Sequence, residues 1–375
     1  MHTWKKNAFL KIALLFLLVI VIIAGFAISG EKAAGEEKGG LFRVRVGGKY
    51  GFIDKTSKIV INPQFDVAYD FQEGLAGVDI GDKWGYIDKS GKIVINPQFD
   101  DAWSFEEGLA RVRIGRKYGY IDKTGKIAIA HLDDAGDFLE GLAKVKIGGK
   151  WGYIDKTGKV VIKPQFDWVD DFQEGLTTVK IGGKWGYIDK TGNFVIKPQF
   201  DLAGFFQEGL TKVKIGSKWG YIDKTGKVVI KPRFDQVDDF QEGLATVKIG
   251  SKWGYIDKTG KIIIKPQFDV AYDFQEGLAG VDIDGQRGYI DKTGNFVIKP
   301  QFDAYAGDFQ EGLAKVKISA QWGGKWGYID KTGNFVIKPQ FDVAYDFQGG
   351  LALVEIGGKQ GYIDKTGRYV WKPTR

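Results

Sequence analysis

The sequence predicts an all-β fold: a tandem array of ten units of about 34 residues, each a three-stranded antiparallel meander, behind one N-terminal hydrophobic helix. Three observations carry this. An aromatic–Gly pair recurs at Tyr50, Trp84, Tyr118, Trp151, Trp185, Trp219, Trp253 and Trp326, with Arg287-Gly288 and Gln360-Gly361 in the same register. All nine prolines, from Pro63 to Pro373, occupy a single position of the repeat. Glycine makes up 54 of the 375 residues, roughly twice its usual share of about 7 %, and it recurs at turn positions.

The N-terminus comes first in chain order. Residues 1–11 are a basic leader with Lys5, Lys6 and Lys11, followed by an uninterrupted apolar run over 12–28 and a Gly/Glu/Lys-rich flexible linker over 29–40. A run of this length is either a membrane anchor or a signal-peptide core, and Ala27-Ile28-Ser29 offers a small-residue cleavage signal. The lysines before the run and the acidic Glu31 after it keep the N-terminus inside, so both alternatives send the remainder across the membrane. The expected location is a single-pass membrane protein with its repeats outside, or a secreted protein.

Ten repeats then fill residues 41–374. In the unit Leu176 to Gly209, Thr178 to Ile181 alternates polar and apolar side chains, and Gly182-Gly183 supplies a tight turn. Trp185 to Asp189 is the second strand; Asp189-Lys190-Thr191-Gly192 is a turn that Asp opens and Gly closes; Asn193 to Lys197 is the third strand. Pro198 cannot donate to a ladder, so the strand ends or bulges there, and Gly186 marks close approach of another backbone. Phe200 to Gly209 is a connector, too short for a helix of more than a turn.

The recurring GKWGYIDKTGK, PQFD and EGLA elements resemble the WG, or KWG, repeat of bacterial proteins, over nearly the whole of 41–374. That resemblance implies an all-β repeat array in an often exported bacterial protein, and it implies no shared activity or catalytic residue. The array begins with the first strand of a unit and ends with the third, and three strands in ten units differ from an ordinary propeller. An open solenoid or superhelical stack with atypical capping ends is therefore expected, with a closed β-propeller as the alternative.

Composition excludes several chemistries. Cys is absent and only His2 and His131 are present, so thiol nucleophiles, Cys-based metal sites and multi-histidine centres cannot be assembled within one chain. The net charge of +7 is spread over interleaved Lys and Asp, unlike the basic patches of nucleic-acid binders. The repeated carboxylates would suit a glycosidase, but Asp189 and its equivalents recur at a turn that Asp fills for local reasons. No catalytic residue, metal ligand or cofactor is therefore assigned.

The repeat-defining Trp84, Trp151, Trp185, Trp219, Trp253 and Trp326 are assigned to the core. Ligand contacts are expected instead from aromatics at positions the scaffold leaves variable. These are Tyr69, Trp103, Tyr272 and Tyr345 at one connector position, Trp168 and Tyr305 close by, and Trp322 in the longest insertion. The expectation is a non-enzymatic binding or scaffold protein for a protein or cell-envelope polymer, or alternatively a receptor for cell-wall glycan.

Overall fold

A computed structural model of the chain describes residues 40–303, 306–318 and 324–372. The basic leader, the apolar run, the linker before Gly40, Tyr305, Trp322 and Pro373 lie outside the described residues. Ten antiparallel sheets follow one another along the chain, one per repeat. The seventh shows the pattern: a short strand Gln236–Val237, a hairpin of Leu244–Ile249 and Lys252–Asp257, and a last strand Ile262–Phe268.

Eight of the ten sheets are four-stranded meanders, the first and ninth having three strands among the described residues, and the expected three strands omit the short first one. Asp235 and Asp238 explain it, because their amides donate to Lys248 O and Thr246 O at 3.0 and 3.2 Å and hold the connector extended against the hairpin. The expected helical turn does not form. Instead Gln241 and Leu244 exchange backbone hydrogen bonds across Glu242-Gly243, which take φ of 51° and 87° as the central pair of a tight hairpin turn.

The other two turns follow local chemistry. Asp257 Oδ1 accepts from the Thr259 amide at 2.9 Å, the Thr259 hydroxyl at 2.6 Å and the Lys261 amide at 3.0 Å, closing the Asp-Lys-Thr-Gly turn. Beyond it, Trp253 pairs with Phe268 and Tyr255 with Ile264, so Gly254 alone faces Lys265-Pro266-Gln267. A Cβ on Gly254 would lie 2.5 Å from Ile264 O and 2.6 Å from Pro266 N. The proline sits in a bulge, where no ladder bond is required of it. In the third sheet the bulge is one residue shorter, and His131 closes it at a φ of 67°.

The apolar core lies between sheets. Tyr255, Ile264 and Phe268 of the seventh pack with Ala271, Phe274, Val281 and Ile290 of the eighth, all nearly inaccessible to solvent. At nine junctions the aromatic of the Gly-Tyr-Ile run (Phe52 in the first unit) meets the Phe of the next connector, with ring centroids 4.8–5.0 Å apart. Eight of these tyrosines, Tyr86 through Tyr328, also donate their hydroxyl to a connector carbonyl of the next sheet at 2.5–2.8 Å.

Tyr362 holds this position in the tenth unit, and its contacts decide the architecture. Tyr362 Oη donates to Arg43 O of the first sheet at 2.9 Å, and its ring meets Phe42 at 5.7 Å. In the second sheet the equivalent of the Arg43 carbonyl, Gly77 O, accepts from the Tyr69 amide at 2.9 Å. Phe42 stands where a connector Phe stands elsewhere. The ten sheets are therefore the blades of a closed propeller, the alternative of the sequence reading, and the expected open stack with capped ends is corrected.

Two outcomes follow for stability. Gly254→Ala must displace a strand backbone and should cost about 1–3 kcal/mol in urea denaturation; an unchanged midpoint would contradict the bulge geometry. Tyr362→Phe should cost about 0.5–1.5 kcal/mol and speed amide hydrogen exchange in blades one and ten while leaving blade six unchanged; uniform exchange would argue against a closed seam.

Candidate functional site: tryptophan-walled clefts between blades

Whether a repeat Trp is covered depends on a pair of residues eight apart, one at the end of the connector's extended segment and one on the first hairpin strand. In blade two the pair is Tyr69 and Gly77. The Tyr69 ring lies across Gly77, 3.1 Å from where a Cβ would stand, and stacks on Trp84 at 4.7 Å and 17°. Trp84 is accordingly only 8 % exposed. In blade three Trp103 pairs with Arg111, whose guanidinium sits 3.9 Å over its ring. In blade eight Tyr272 pairs with Gly280, and Arg287, in place of the Trp, covers Tyr272 at 3.8 Å.

Blades four to seven and nine carry small or short polar residues at the first of these positions. Gly136, Gly204 and Gly307 leave room for Lys144, Lys212 and Lys315, which cross the strand to Asp171, Asp239 and Asp346 at 3.0–3.1 Å. Asp170 and Asp238 instead accept from the hydroxyls of Thr178 and Thr246, the latter at 2.7 Å. No tyrosine covers the Trp in those blades, and Trp185, Trp219, Trp253 and Trp326 are half-exposed. Trp151 is the exception, 8 % exposed, because Trp168 of the next blade packs against it at 6.2 Å.

One of these clefts lies between blades six and seven. It is a cavity of about 380 Å³ lined by Lys214, Trp219, Asp235, Gln236, Val237, Asp238 and Trp253. Gln236 holds the position that Trp168 fills two blades earlier. Lys214 Nζ lies 5.8 Å over the Trp219 ring, and Gln236 spends no side-chain hydrogen bond within the described residues. Asp235 is committed to structure: it accepts from Lys218 at 2.5 Å and from the Gly250 amide at 2.7 Å, and both hold its carboxyl below the usual range. The cleft can therefore stack a ring against indole and meet polar groups with Gln236, Asp238 and Lys214.

A second feature is a row of connector carboxylates in the first-turn position after the short strand. Asp70, Asp137, Asp171, Asp239 and Asp346 each pair with a cation of the preceding blade, Arg43, Arg111, Lys144, Lys212 and Lys315 respectively. Asp273 holds the same position, where the preceding blade carries Thr246 in place of a cation. Burial, then the charges of Asp238 and Asp239, push its carboxyl up to about 7, with Lys212 opposing and Asp308 adding. Solvent still reaches Asp273, so this crowding is that of a recess rather than a dry core. Arg287 is different again: it is 3 % exposed, holds Asp282 at 2.7 and 3.1 Å, and is a structural ion pair. Among the described residues no group of three or more His, Asp or Glu converges to hold a metal ion.

The sequence-selected aromatics separate accordingly. Tyr69, Trp103 and Tyr272 are engaged by Trp84, Arg111 and Arg287, whereas Trp168 is 50 % and Tyr345 45 % exposed. Tyr345 lies bare because Gln360 holds the Trp position of its blade. Tyr305 and Trp322 lie outside the described residues. Of the tryptophans assigned to the core, Trp84 and Trp151 are buried, while Trp219 and Trp253 wall the cleft. The missed signal was the residue eight positions apart across the hairpin, readable as Tyr/Gly, Gly/Lys or Asp/Thr.

Ten blades joined by shared cores, with clefts between them, define a β-propeller repeat protein. The chain belongs to the WG repeat family: the model of the WG containing repeat matches nine times, at 50–84, 84–118, 118–151, 151–185, 185–219, 219–253, 253–286, 288–322 and 326–359. No curated protein sequence matches the chain. Among solved structures, a eukaryotic initiation factor is similar at a TM-score of 0.51 and 10 % identity, covering 88 % of this chain and 100 % of that one. BamB of Moraxella catarrhalis is similar at a TM-score of 0.39 and 13 % identity, covering 81 % and 95 %. The extracellular domain of a hybrid two-component system of B. thetaiotaomicron gives 0.29 and 11 %, covering 90 % of this chain and 56 % of that one. At these identities the likeness to the initiation factor concerns fold alone.

The Asp273 carboxyl sets a pH dependence. Its folded value of about 7 lies above an ordinary aspartate value of about 3.9, so between these limits the folded state binds more protons than the unfolded one. Stability is therefore lost as pH rises through this window. Asp273→Asn should flatten the melting temperature between about pH 4 and pH 7 and exceed the parent at pH 8; parallel profiles would remove Asp273 from the account.

Proposed function

We propose that this chain is a non-enzymatic binding or scaffold protein on the outer side of a bacterial membrane, displaying its propeller to a protein or cell-envelope polymer. The observation that carries this reading is the array of half-exposed tryptophans between blades, on a scaffold whose repeated carboxylates are already engaged. Asp257 and its equivalents close turns, and Asp235 and its equivalents clamp neighbouring hairpins. A carboxylate bound in this way is a poor candidate for acid–base chemistry, which requires a proton free to move. Neither nucleic acid nor a metal ion is invoked by the interleaved charges.

Placement outside the membrane is supported by the apolar run over 12–28 between basic and acidic flanks, which serves as anchor or as signal core. A second reading, recognition of cell-wall glycan through exposed aromatics, is favoured by Trp168 and Tyr345, whose rings stand open to solvent. Protease added to intact cells or spheroplasts should degrade the repeats, and the mass of the mature protein should show whether the first 28 or so residues are retained. Repeats protected until the inner membrane is broken would overturn the placement.

A further inference from the structure

We propose that the cleft between blades six and seven is a saccharide subsite in which Trp253 receives the apolar face of a pyranose ring. This rests on the binding-protein reading above and names its ligand class. Blade two supplies the template. There the protein places a six-membered ring of its own, Tyr69, flat on Trp84 at 4.7 Å, and only Gly77 beneath makes the space. In blade seven the same two positions are Asp238 and Thr246, the ring is missing, and Trp253 is left half-exposed beside a cavity of about 380 Å³. That volume is at the lower end of small-ligand sites.

The lining selects the class of ring. Two indole faces, Trp219 and Trp253, suit either an aromatic side chain or the C–H face of a sugar. An aromatic side chain has no use for the hydrogen-bonding groups around them. Gln236 offers both donors and acceptor, Asp238 an acceptor and Lys214 donors, at the edge where ring hydroxyls would emerge. Charge points the same way. Asp235 is paired with Lys218, and in the lining the single charges of Asp238 and Lys214 offset one another, so the cleft favours a neutral polyhydroxyl ligand over a phosphate or a polycation. The neighbouring clefts are less suited: Trp168 fills the one between blades four and five, and Leu202 takes the Gln236 position between blades five and six.

The test uses the full chain in detergent micelles, titrated with N-acetylchitotetraose and with cellotetraose by calorimetry and by tryptophan fluorescence. The decisive variant is Asp238→Tyr with Thr246→Gly, which transplants the Tyr/Gly pair of blade two and should cover Trp253 with the blade intact. Loss of binding by about tenfold or more, some 1.4 kcal/mol, is expected for this variant and for Trp253→Ala, with a smaller loss for Gln236→Ala. Melting and circular dichroism identify any variant that fails to fold. Three results would overturn the subsite: neither tetrasaccharide binds at millimolar concentration, the folded double variant binds as the parent does, or N-acetyltryptophanamide binds where the sugars do not. External repeats together with a partner whose binding ignores these variants would leave the broader reading standing. Repeats located inside the cell would instead defeat that reading, whatever the sugars do.

Discussion

The aromatic pair formed between each Gly-Tyr-Ile strand and the next connector is the contact on which the architecture depends. A single blade buries too little of its own surface to be stable, since its Tyr, Ile and Phe side chains find their partners in the following sheet. Each fully buried large side chain contributes roughly 1.5–3 kcal/mol, and in this chain those contributions exist only once two blades meet. The tyrosine hydroxyl adds direction to this burial. By reaching a connector carbonyl it fixes how one blade turns against the next, and the turn repeated ten times brings Tyr362 to Arg43 and Phe42. Closure then satisfies both a hydroxyl and a carbonyl that an open end would leave exposed to solvent.

The Trp-Gly bulge governs what the clefts can do. Three residues of the last strand face a single Gly on its partner, which bends the strand and lets Phe268 return opposite Trp253. The tryptophan is held by its neighbours on one side and left to its blade's Tyr/Gly, Gly/Lys or Asp/Thr pair on the other. Function and scaffold therefore share one residue: the same indole is core in blade two and cleft wall in blade seven.

Much of the local structure was legible. Turns at Asp-Lys-Thr-Gly and at Gly-Gly, the bulge at the proline and the close approach at Gly186 all follow from chemistry within a few residues, and the structure carries them as expected. The short strand was not legible, because two residues such as Gln236–Val237 have no periodicity to read and are extended only by their ladder to Lys248 and Val247. Tyr69 and Trp103 drew attention as variable aromatics. Their variability reflects cross-strand fit, Tyr over Gly77 and Trp under Arg111, so variation at that position is itself imposed by the scaffold.

By itself the sequence determined the repeat, its ten-fold count, its turns and its bulge, because each of these rests on contacts between residues close in the chain. Only the tertiary structure decided that the array closes and which tryptophans remain open. Closure joins residues 319 positions apart through a hydrogen bond that has no precursor in any one repeat. Exposure of a tryptophan depends on a neighbouring strand and a neighbouring blade together, and near-identical units such as those of Trp151 and Trp219 therefore end with different surfaces.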